Sequence, residues 1–475
     1  MNVLIISTNR SNQPVPVMPL GACIVAEAAE RAGHSRVRLL DLMFCKDPVH
    51  ALETEFSKVT PDVVGLSVRN IDNNDIYHPI AFFKDVSPLV NAIRRRTKAP
   101  IILGGSAVAV MPEALLRYTG TKWAVLGNGE VVFPRLLETI SRGGDPKQIP
   151  GIASLENAVF RKNSSPGSQF RDSPLVPDFH RWLNVRAYVS GLSTVPIQSK
   201  RGCPYECVYC TYPMGEGKYY RLCAPERVVN AISRLAYQEI HDIEFVDNVF
   251  NAPYDHAIAI CEGIARKQLR IRLHTMELNP RFIDDELLSA MERAGFVSVG
   301  ITAESASDGV LEGLRKGFTA EHVRRAARAV QRHNIPSLWM FMMGAPEETK
   351  ETVQETLNFA AQYIRPTDVA FFNVGIRIYP GTKLERLART QGVLSRSSTE
   401  MLEPAFYFSP SLDMDWLNKK LRTAMHEHMN YINIDSIGLP FLTLMNRLGY
   451  RFGMRPPPWR HTRAIRRGLR LLGVD

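Results

Sequence analysis

Short runs of consecutive apolar residues alternate with longer amphipathic stretches over residues 1–144. A continuous apolar run of this kind predicts a strand that is buried on both faces. Residues 19–32 instead carry apolar positions at helical spacing, with Gly33 as a stop, and residues 85–97 predict a basic helix. The alternation predicts an α/β domain with a doubly wound parallel sheet, Rossmann- or flavodoxin-like, whose strands are VLIIS, RVRLLDL, DVVGLSV, APIILGG and KWAVLGNGE.

Polar residues and glycines directly follow four of these predicted strands. Sheets of this type bind ligands at the carboxyl ends of their strands, and glycines there let the backbone approach a bulky ligand closely. No G-x-G-x-x-G run opens a helix, so a nicotinamide-binding interpretation is weak. We therefore expect a ligand groove formed by residues 7–10, 67–70, 104–106 and 127–130.

The rest of the chain divides into a linker, a second α/β domain and a smaller tail. Residues 145–192 contain scattered Pro, Gly and Ser with little periodicity and predict a linker. Residues 193–394 repeat a strand–helix unit six times, which predicts a partial (β/α)6 barrel. Residues 395–475 predict a mainly helical region, in which WLNKKLRTAMHEHMNYINI is one helix and Trp416, Tyr431 and Trp459 close a substrate pocket.

Composition and charge narrow the class of protein. The chain has 475 residues, of which 45% are hydrophobic and 22% charged, as in globular proteins. The N-terminus becomes polar too soon for a signal peptide, and no run reaches the roughly 18–20 apolar residues that span a bilayer. Seven cysteines, an odd number, favour a reducing cytoplasm over a disulfide scaffold. We expect a cytoplasmic monomer.

Much of the net charge of +10 comes from arginines in the tail sequence RFGMRPPPWRHTRAIRRGLR. Because the remaining chain is nearly balanced, a nucleic-acid-binding surface is not indicated. The spacing of Ile465, Leu469 and Leu472 among the arginines predicts a basic amphipathic helix. It would make a peripheral membrane contact, recruit an acidic substrate, or simply be a solvated helix face.

Three cysteines in KRGCPYECVYCTYP carry the strongest chemical signal: Cys203, Cys207 and Cys210. Soft thiolates at this C-x-x-x-C-x-x-C spacing select an iron–sulfur cluster or zinc. A closed zinc site or an ordinary four-iron cluster needs a fourth ligand, and no further cysteine joins this group at a regular spacing. Three ligands on a four-iron cluster leave one iron open to a substrate or cofactor. The alternatives are a zinc knuckle or three unrelated thiols.

The cysteine loop resembles the signature of the radical S-adenosylmethionine (SAM) superfamily, and so do the runs GFVSVGITAESASDGVLEGLRKGFT, MMGAPEET and IRIYPGTKL. The resemblance implies a [4Fe-4S] cluster held by the three cysteines, with SAM on the open iron. It places Tyr209, Glu304 and Gly344 against SAM, whereas Glu277 lies at the barrel mouth and reaches substrate or the open iron. As alternatives, Tyr209 is a core residue, Glu304 a helix cap and Gly344 a turn glycine.

The N-terminal domain resembles the cobalamin-binding domain that precedes some radical SAM domains, through PLGACIVAEAAERAGH, GGSAVAVMPEALL and VLGNGEVVF. Asn128 replaces the first acid of the usual Gly-Glu-Gly-Glu loop. The alternative is a flavodoxin-like domain without a ligand. The resemblance implies that cobalamin is bound by Leu20, Gly21, Ser67, Arg69, Asn70, Gly104, Gly105, Ser106, Gly127, Gly129 and Glu130.

The lower cobalt ligand of many cobalamin proteins, the His of D-x-H-x-x-G, is missing, because His34 lacks that context. The turn SVRNIDNND instead resembles that of the cobalamin-dependent tryptophan 2-C-methyltransferases of thiopeptide biosynthesis, in which an arginine occupies the lower face. Arg69 would then disfavour a coordinated water and favour the nucleophilic cobalt(I) state. Otherwise Arg69 forms a salt bridge at a strand end.

These resemblances imply a cobalamin-dependent radical SAM C-methyltransferase. It would move a methyl group from SAM, through methylcobalamin, to a carbon of a small molecule, with an indole such as tryptophan as first expectation and a lipid as second. The implied partners are the substrate and an electron donor such as flavodoxin or ferredoxin. Two alternatives stay open: a relative that forms or rearranges rings without methylation, and a cobalamin- or cluster-based sensor.

Overall fold

A computed structural model describes residues 1–33, 36–164, 176–433 and 441–471. His34 and Leu472, which the sequence analysis considers, lie outside these ranges. The chain forms two domains, each built on a seven-stranded sheet. None of the described helices is long and apolar enough to cross a bilayer.

The first sheet has strand order β2-β1-β3-β4-β5-β6-β7. Its first five strands are parallel, as predicted, and β6 and β7 extend it in antiparallel fashion. The strands are β1 (Asn2–Ser7), β2 (Arg36–Asp41), β3 (Val63–Ser67), β4 (Ile101–Gly104), β5 (Trp123–Val125), β6 (Ile152–Glu156) and β7 (Val159–Lys162). The helices of this domain are α1 (Leu20–Arg31), α2 (Pro48–Phe56), α3 (Val86–Arg96), α4 (Ser106–Val110), α5 (Pro112–Thr119) and α6 (Gly129–Ser141).

The segment 145–192 is therefore not only a linker, because β6 and β7 belong to the first sheet. Ile152 and Ala153 are buried within it, and strands this short give little periodicity in the sequence. The rest of the described segment forms two short helices, α7 (Phe179–Trp182) and α8 (Val185–Val189).

The second sheet is parallel throughout, with strand order β18-β15-β14-β13-β12-β11-β8. The six predicted strands are present, and the barrel is open. The strands are β8 (Val195–Ile197), β11 (Asp242–Phe245), β12 (Arg272–Leu278), β13 (Phe296–Glu304), β14 (Ser337–Met343), β15 (Val369–Val374) and β18 (Tyr431–Asn433). Two small antiparallel pairs accompany them, β9 (Lys200–Arg201) with β10 (Arg221–Leu222), and β16 (Ile376–Arg377) with β17 (Phe406–Tyr407).

The helices of the second half follow the predicted strand–helix alternation and lead into the tail. Several begin at capping side chains, such as Asp284 and Thr349, which accept backbone N–H bonds. They are α9 (Tyr212–Glu216), α10 (Pro225–Tyr237), α11 (Tyr254–Lys267), α12 (Asp285–Ala294), α13 (Asp308–Gly313), α14 (Ala320–Gln331), α15 (Lys350–Tyr363), α16 (Lys383–Thr390), α17 (Met414–Glu427), α18 (Leu442–Arg451) and α19 (Thr462–Leu471).

The C-terminal region is less separate and less helical than predicted. The helix expected over WLNKKLRTAMHEHMNYINI ends at Glu427, and Tyr431 lies in β18, where it packs on Phe372 of the barrel. Trp416 lies against Lys350, and Trp459 packs on Leu338 and its neighbours at the base of the barrel. The three aromatic residues therefore do not close a pocket together.

One apolar core runs across the contact between the two domains. Val68 and Ile71 of the first domain belong to the same buried cluster as Val208, Ile376 and Ile378 of the second. The carboxyl ends of the first sheet thus face the mouth of the barrel, which is where both cavities lie.

Candidate functional site

The first cavity lies at the carboxyl ends of β1, β3, β4 and β5, where the first sheet faces the barrel, and it measures about 380 Å³. Pro196, Gln198 and Arg201 belong to the barrel side of its lining. Of the eleven residues that the resemblance assigns to cobalamin, all except Asn70 line it: Leu20, Gly21, Ser67, Arg69, Gly104, Gly105, Ser106, Gly127, Gly129 and Glu130. The predicted strand-end loops therefore surround one space.

Two neighbouring glycines of this lining, Gly104 and Gly105, differ in what a side chain at their position would meet. Gly105 has φ +100°, and a Cβ there would lie 2.4 Å from the Val68 carbonyl oxygen. A side chain at Gly105 would therefore both strain the backbone and collide with it. A Cβ at Gly104 would meet no atom within 4 Å. The glycine at position 104 thus leaves open space beside the strand end.

Glu130 of the first cavity is already engaged by the barrel. Its carboxylate accepts a hydrogen bond of 2.6 Å from Nη1 of Arg201, which also donates to Oδ1 of Asn128 at 3.1 Å. Arg201 precedes the cysteine loop by two residues. Asn128, which departs from the usual acid, therefore helps to join the glycine loop to the cluster-side domain.

Arg69 follows β3 and lines both cavities. It forms no ion pair with a carboxylate among the described residues, so the strand-end salt bridge is not seen. The amide of Asn70 lies 3.1 Å from both Nη1 and the carbonyl oxygen of Arg69, and that carbonyl accepts from Oγ of Ser106 at 2.5 Å. Burial lowers the pKa of the Arg69 guanidinium from its usual value, while Tyr212 and Glu244 oppose the shift. The Arg69 side chain is nevertheless exposed to the two cavities, and its backbone carbonyl is held by Ser106.

The second cavity, about 560 Å³, lies between the Arg69 turn, the cysteine loop and the barrel interior. Cys203, Cys207 and Cys210 all line it. It shares Arg69 and Ser106 with the first cavity, so the two spaces adjoin at those residues.

The three thiols are free and face this common space. Burial raises the pKa of Cys210 to about 12 and that of Cys203 above its usual range, so loading a metal requires loss of these protons. Within the described ranges, no three His, Cys, Asp or Glu side chains are grouped around a single ion position. The three thiols share the second cavity as a common space that their loop surrounds.

Tyr209 and Glu304 meet in the wall of the second cavity, together with Lys316, to which no sequence motif assigned a role. Tyr209 donates to Oε1 of Glu304 at 2.8 Å, and Lys316 donates to the same oxygen at 3.0 Å. Burial would lower the pKa of Lys316, but the Glu304 carboxylate and Tyr209 outweigh it and raise that pKa. Burial and the Glu304 charge raise the pKa of Tyr209. Lys316 stays protonated and Tyr209 stays a hydrogen-bond donor.

Glu277 lies at the end of β12 and lines the second cavity, as predicted for a mouth residue. Burial, with help from the Glu304 charge, raises the pKa of Glu277 to about 8. The carboxyl group therefore binds a proton near neutral pH. Tyr212 lines the same cavity and keeps about half of its surface open, at 49%.

Gly344, which the resemblance places against SAM, directly follows β14. It is not among the residues that line either cavity. Its φ is +84°, a Cβ would lie 2.4 Å from the ring of Phe408, and its N–H donates to the buried carboxylate of Glu348. In this structure Gly344 is a turn glycine that Glu348 holds.

A buried ion pair joins the Arg69 turn to the barrel. Asp72 accepts from Nε of Arg377 at 2.7 Å, and both side chains are at most 2% exposed. Tyr379 donates to Asn74 at 2.8 Å in the same contact. Sequence reasoning missed these residues; the signal that was available is that Arg377 stands inside the apolar strand run VAFFNVGIRIYP.

Two family models match this chain and cover most of both domains. The model of the Radical SAM superfamily matches residues 197–360. The model of the B12 binding domain matches residues 8–137. The first range contains the three cysteines, and the second contains the glycine loops.

Curated relatives include several methyltransferases. The chain is 29% identical over 340 residues to an uncharacterised methyltransferase of Pyrococcus horikoshii, covering 71% of each protein. It is 24% identical over 436 residues to the tryptophan 2-C-methyltransferase of Streptomyces laurentii, covering 77% of this chain and 71% of that protein.

The fold is that of the solved enzyme TsrM from Kitasatospora setae. The structure of TsrM with cobalamin and a [4Fe-4S] cluster bound superposes with a TM-score of 0.86 at 25% identity, covering 99% of this chain and 100% of that one. The structure with tryptophan and the SAM analogue aza-SAM gives 0.85 at 24% identity, covering 99% of both chains.

Proposed function

We propose that this chain, which belongs to the cobalamin-dependent radical SAM methyltransferases, methylates a carbon atom of an indole-like aromatic molecule. The observation that carries the proposal is that the glycine-lined cavity and the three-cysteine cavity adjoin at Arg69 and Ser106. A methyl donor on one side and an acceptor on the other would thus meet within one continuous region.

The residues present fit the implied cofactors. The strand-end glycines leave a cradle that side chains would fill, as open space at Gly104 and the requirement for glycine at Gly105 both indicate. Three cysteines leave one iron of a four-iron cluster for SAM. When bound, cobalamin supplies a cobalt that accepts the methyl group of SAM and passes it on. The residues that would hold it are those of the first cavity.

Arg69 would keep the cobalt face free of ligands. No histidine lines the first cavity among the described residues, and a guanidinium cannot ligate a metal because it has no acceptor atom. Among the described residues, no carboxylate forms an ion pair with Arg69, although the Glu244 charge acts on it from a greater distance. A positive charge at the wall of the cavity favours electron-rich neighbours and disfavours coordinated water.

Tyr209, Glu304 and Lys316 would position SAM beside the cysteines. The buried ion pair of Glu304 and Lys316 fixes both side chains in the cavity wall, and a rigid wall lowers the cost of orienting a ligand. Glu277, protonated near neutral pH, would donate a hydrogen bond to a ligand, or bind an open iron once ionised.

The second cavity has a lining that suits a flat aromatic substrate. Aromatic and thioether side chains provide apolar faces, and Asn248, Asn279 and Asn373 provide hydrogen-bonding groups beside them. The apolar lining residues include Met340, Phe341, Met342, Phe371 and Tyr379. An indole that carries a polar chain combines both requirements. An electron donor such as flavodoxin or ferredoxin would restore the reduced cofactors.

Product mass tests the proposal directly. Anaerobically reconstituted enzyme would be given reductant, tryptophan and SAM labelled with deuterium in its methyl group. We expect a product that gains the intact labelled methyl group, and no product from the variant in which Cys203, Cys207 and Cys210 are all alanine. A product of changed structure without the label would indicate ring formation instead. Absence of turnover with a panel of indoles would contradict the substrate class.

A further inference from the structure

No described residue of the C-terminal segment 441–471 lines either cavity. Trp459, between α18 and α19, packs against the cluster of Leu338, Val369 and Ile432, each of which is the first or second residue of its strand. Met340 and Phe371 of the same cluster continue to the second cavity, so Trp459 lies beneath that cavity. The cavities lie at the opposite, carboxyl ends of the strands. The segment 441–471 therefore covers the base of the barrel, and its outer surface has no role in the chemistry described above.

The outer face of α18, together with the residue that ends it, exposes a row of large apolar side chains. Leu444, Leu448 and Phe452 are spaced four residues apart, and they are 60%, 47% and 83% exposed. Residues at this spacing share one side of a helix. The opposite side is buried, with Leu442 in the core and Asn446 donating to the Pro14 carbonyl at 2.8 Å. The apolar row therefore points away from the protein.

A row of arginines runs beside the apolar row. Arg447, Arg451 and Arg455 are exposed and each follow a member of the apolar row by three residues. Residues 441–471 contain no Asp or Glu and eight arginines: Arg447, Arg451, Arg455, Arg460, Arg463, Arg466, Arg467 and Arg470. The surface is basic at any physiological pH, because guanidinium groups do not lose their protons.

The arginines of α19 divide between structure and surface. Arg466 donates to the carbonyl oxygens of His428 and Tyr431, which follow the end of α17. Arg470 donates to the carbonyl oxygen of His426, in the last turn of α17. These bonds attach α19 to the barrel. Arg463 and Arg467 are exposed instead. The exposed positive charge thus extends from α18 onto α19, which hydrogen bonds attach to the barrel domain.

We propose that this basic apolar face, formed by Leu444, Leu448, Phe452 and the exposed arginines of residues 447–467, docks the enzyme on an anionic membrane surface. Apolar side chains enter the boundary between headgroups and acyl chains, while arginines attract anionic lipids. Binding strength grows both with the apolar area that is buried and with the attraction to anionic lipids, so the two features reinforce each other. This face carries both the apolar side chains and the arginines, on α18 and the adjoining part of α19.

Other occupants fit the face less well. A nucleic acid would use the arginines but would leave the apolar row in water. A second copy of the chain, packed apolar row to apolar row, would bring two arginine rows together, and like charges in an interface are unfavourable. An anionic bilayer satisfies the apolar and the charged row at once.

Co-sedimentation of the full chain with vesicles tests the proposal and requires no cofactor or turnover. We expect binding to phosphatidylcholine vesicles that contain phosphatidylglycerol, little binding to phosphatidylcholine alone, and weaker binding as salt rises. Arg447→Gln with Arg451→Gln should weaken binding by about tenfold or more. Leu448→Gln with Phe452→Gln should weaken it comparably, although the charge is unchanged.

Matched variants give the controls. Arg95→Gln with Arg142→Gln removes the same charge from exposed positions of the first domain, and Tyr237→Gln removes an 84% exposed aromatic residue elsewhere. Both should bind like the unchanged protein. The proposal is overturned if the controls weaken binding as much as the test pairs, or if vesicles do not bind. Two other results would also overturn the proposal. One is binding to a DNA oligonucleotide that is lost only in the double arginine variant; the other is a dimer that dissociates only in the double apolar variant.

Discussion

Asp72 and Arg377 form an ion pair of 2.7 Å that is buried between the two domains. Asp72 lies three residues after Arg69, and Arg377 lies in β16 of the barrel domain. Arg377 also donates to the carbonyl oxygens of Ile378 and Met401, so all three nitrogen atoms of its guanidinium form hydrogen bonds. The turn that presents Arg69 to both cavities is thereby fixed to the barrel.

Loss of one partner of this pair should be costly. Asp72→Asn or Arg377→Met leaves the other group buried and unpaired, so we expect each to lower the free energy of unfolding by roughly 3–5 kcal/mol. The double variant should lose less than the sum of the two, because no unpaired charge is left. Urea denaturation of all four proteins measures the coupling. Additive losses would mean that the pair is not formed in solution.

Gly104 and Gly105 should separate cofactor binding from folding. Gly105→Ala forces a left-handed backbone and a contact of 2.4 Å with Val68, so we expect a less stable protein. Gly104→Ala meets no protein atom but intrudes on the first cavity. It should keep its melting temperature while its affinity for cobalamin, measured by equilibrium dialysis, falls. If Gly104→Ala binds cobalamin like the unchanged protein, the cofactor does not lie against this strand end.

Lys316 should contribute more than Tyr209 to the buried triad with Glu304. Lys316→Met leaves the Glu304 carboxylate without its ion-pair partner, which we expect to cost roughly 3–5 kcal/mol. Tyr209→Phe removes the hydrogen bond that Tyr209 donates to Glu304 and the one that it accepts from Lys316, and it should cost roughly 2 kcal/mol. Unfolding free energies and SAM affinities of both variants provide the comparison. Equal losses would show that the Lys316 pairing is unimportant.

Glu348 should make stability depend on pH. Burial raises the pKa of Glu348 to about 7 from 4.5, so between these values the folded protein holds a proton that the unfolded chain has lost. The free energy of unfolding therefore falls as pH rises through this window. Glu348→Gln cannot titrate, so its stability relative to the unchanged protein should rise by roughly 3 kcal/mol between pH 4.5 and 7. A pH-independent difference would contradict the raised pKa.

The sequence predicted what depends on local patterns. Apolar runs indicated the strands. The glycine and polar residues after them indicated the first cavity, because the loops that follow parallel strands all lie at the carboxyl edge of the sheet. The three cysteines needed only their spacing. Short strands were missed: β18, at Tyr431–Asn433, has three residues and derives its stability from pairing with β15.

Partners that are distant in the chain could not be predicted in this way. Lys316 is twelve residues from Glu304, and Arg377 is 305 residues from Asp72. A charged side chain in an apolar run indicates that it needs a partner, but not which one. The SAM contact of Gly344 stays a prediction, and the partner that its N–H has in this structure, Glu348, stands four residues later in the same motif.

The coordination of cobalt tests the central claim, that Arg69 faces the cofactor in a cavity without a protein ligand. Electron paramagnetic resonance of the cobalt(II) state of the cobalamin-loaded protein should show no nitrogen superhyperfine splitting. Arg69→His, which places an imidazole at the same position, is the positive control and should introduce that splitting. Clear nitrogen splitting in the unchanged protein would contradict the account, because a histidine or the cofactor's own base would then occupy the face assigned to Arg69.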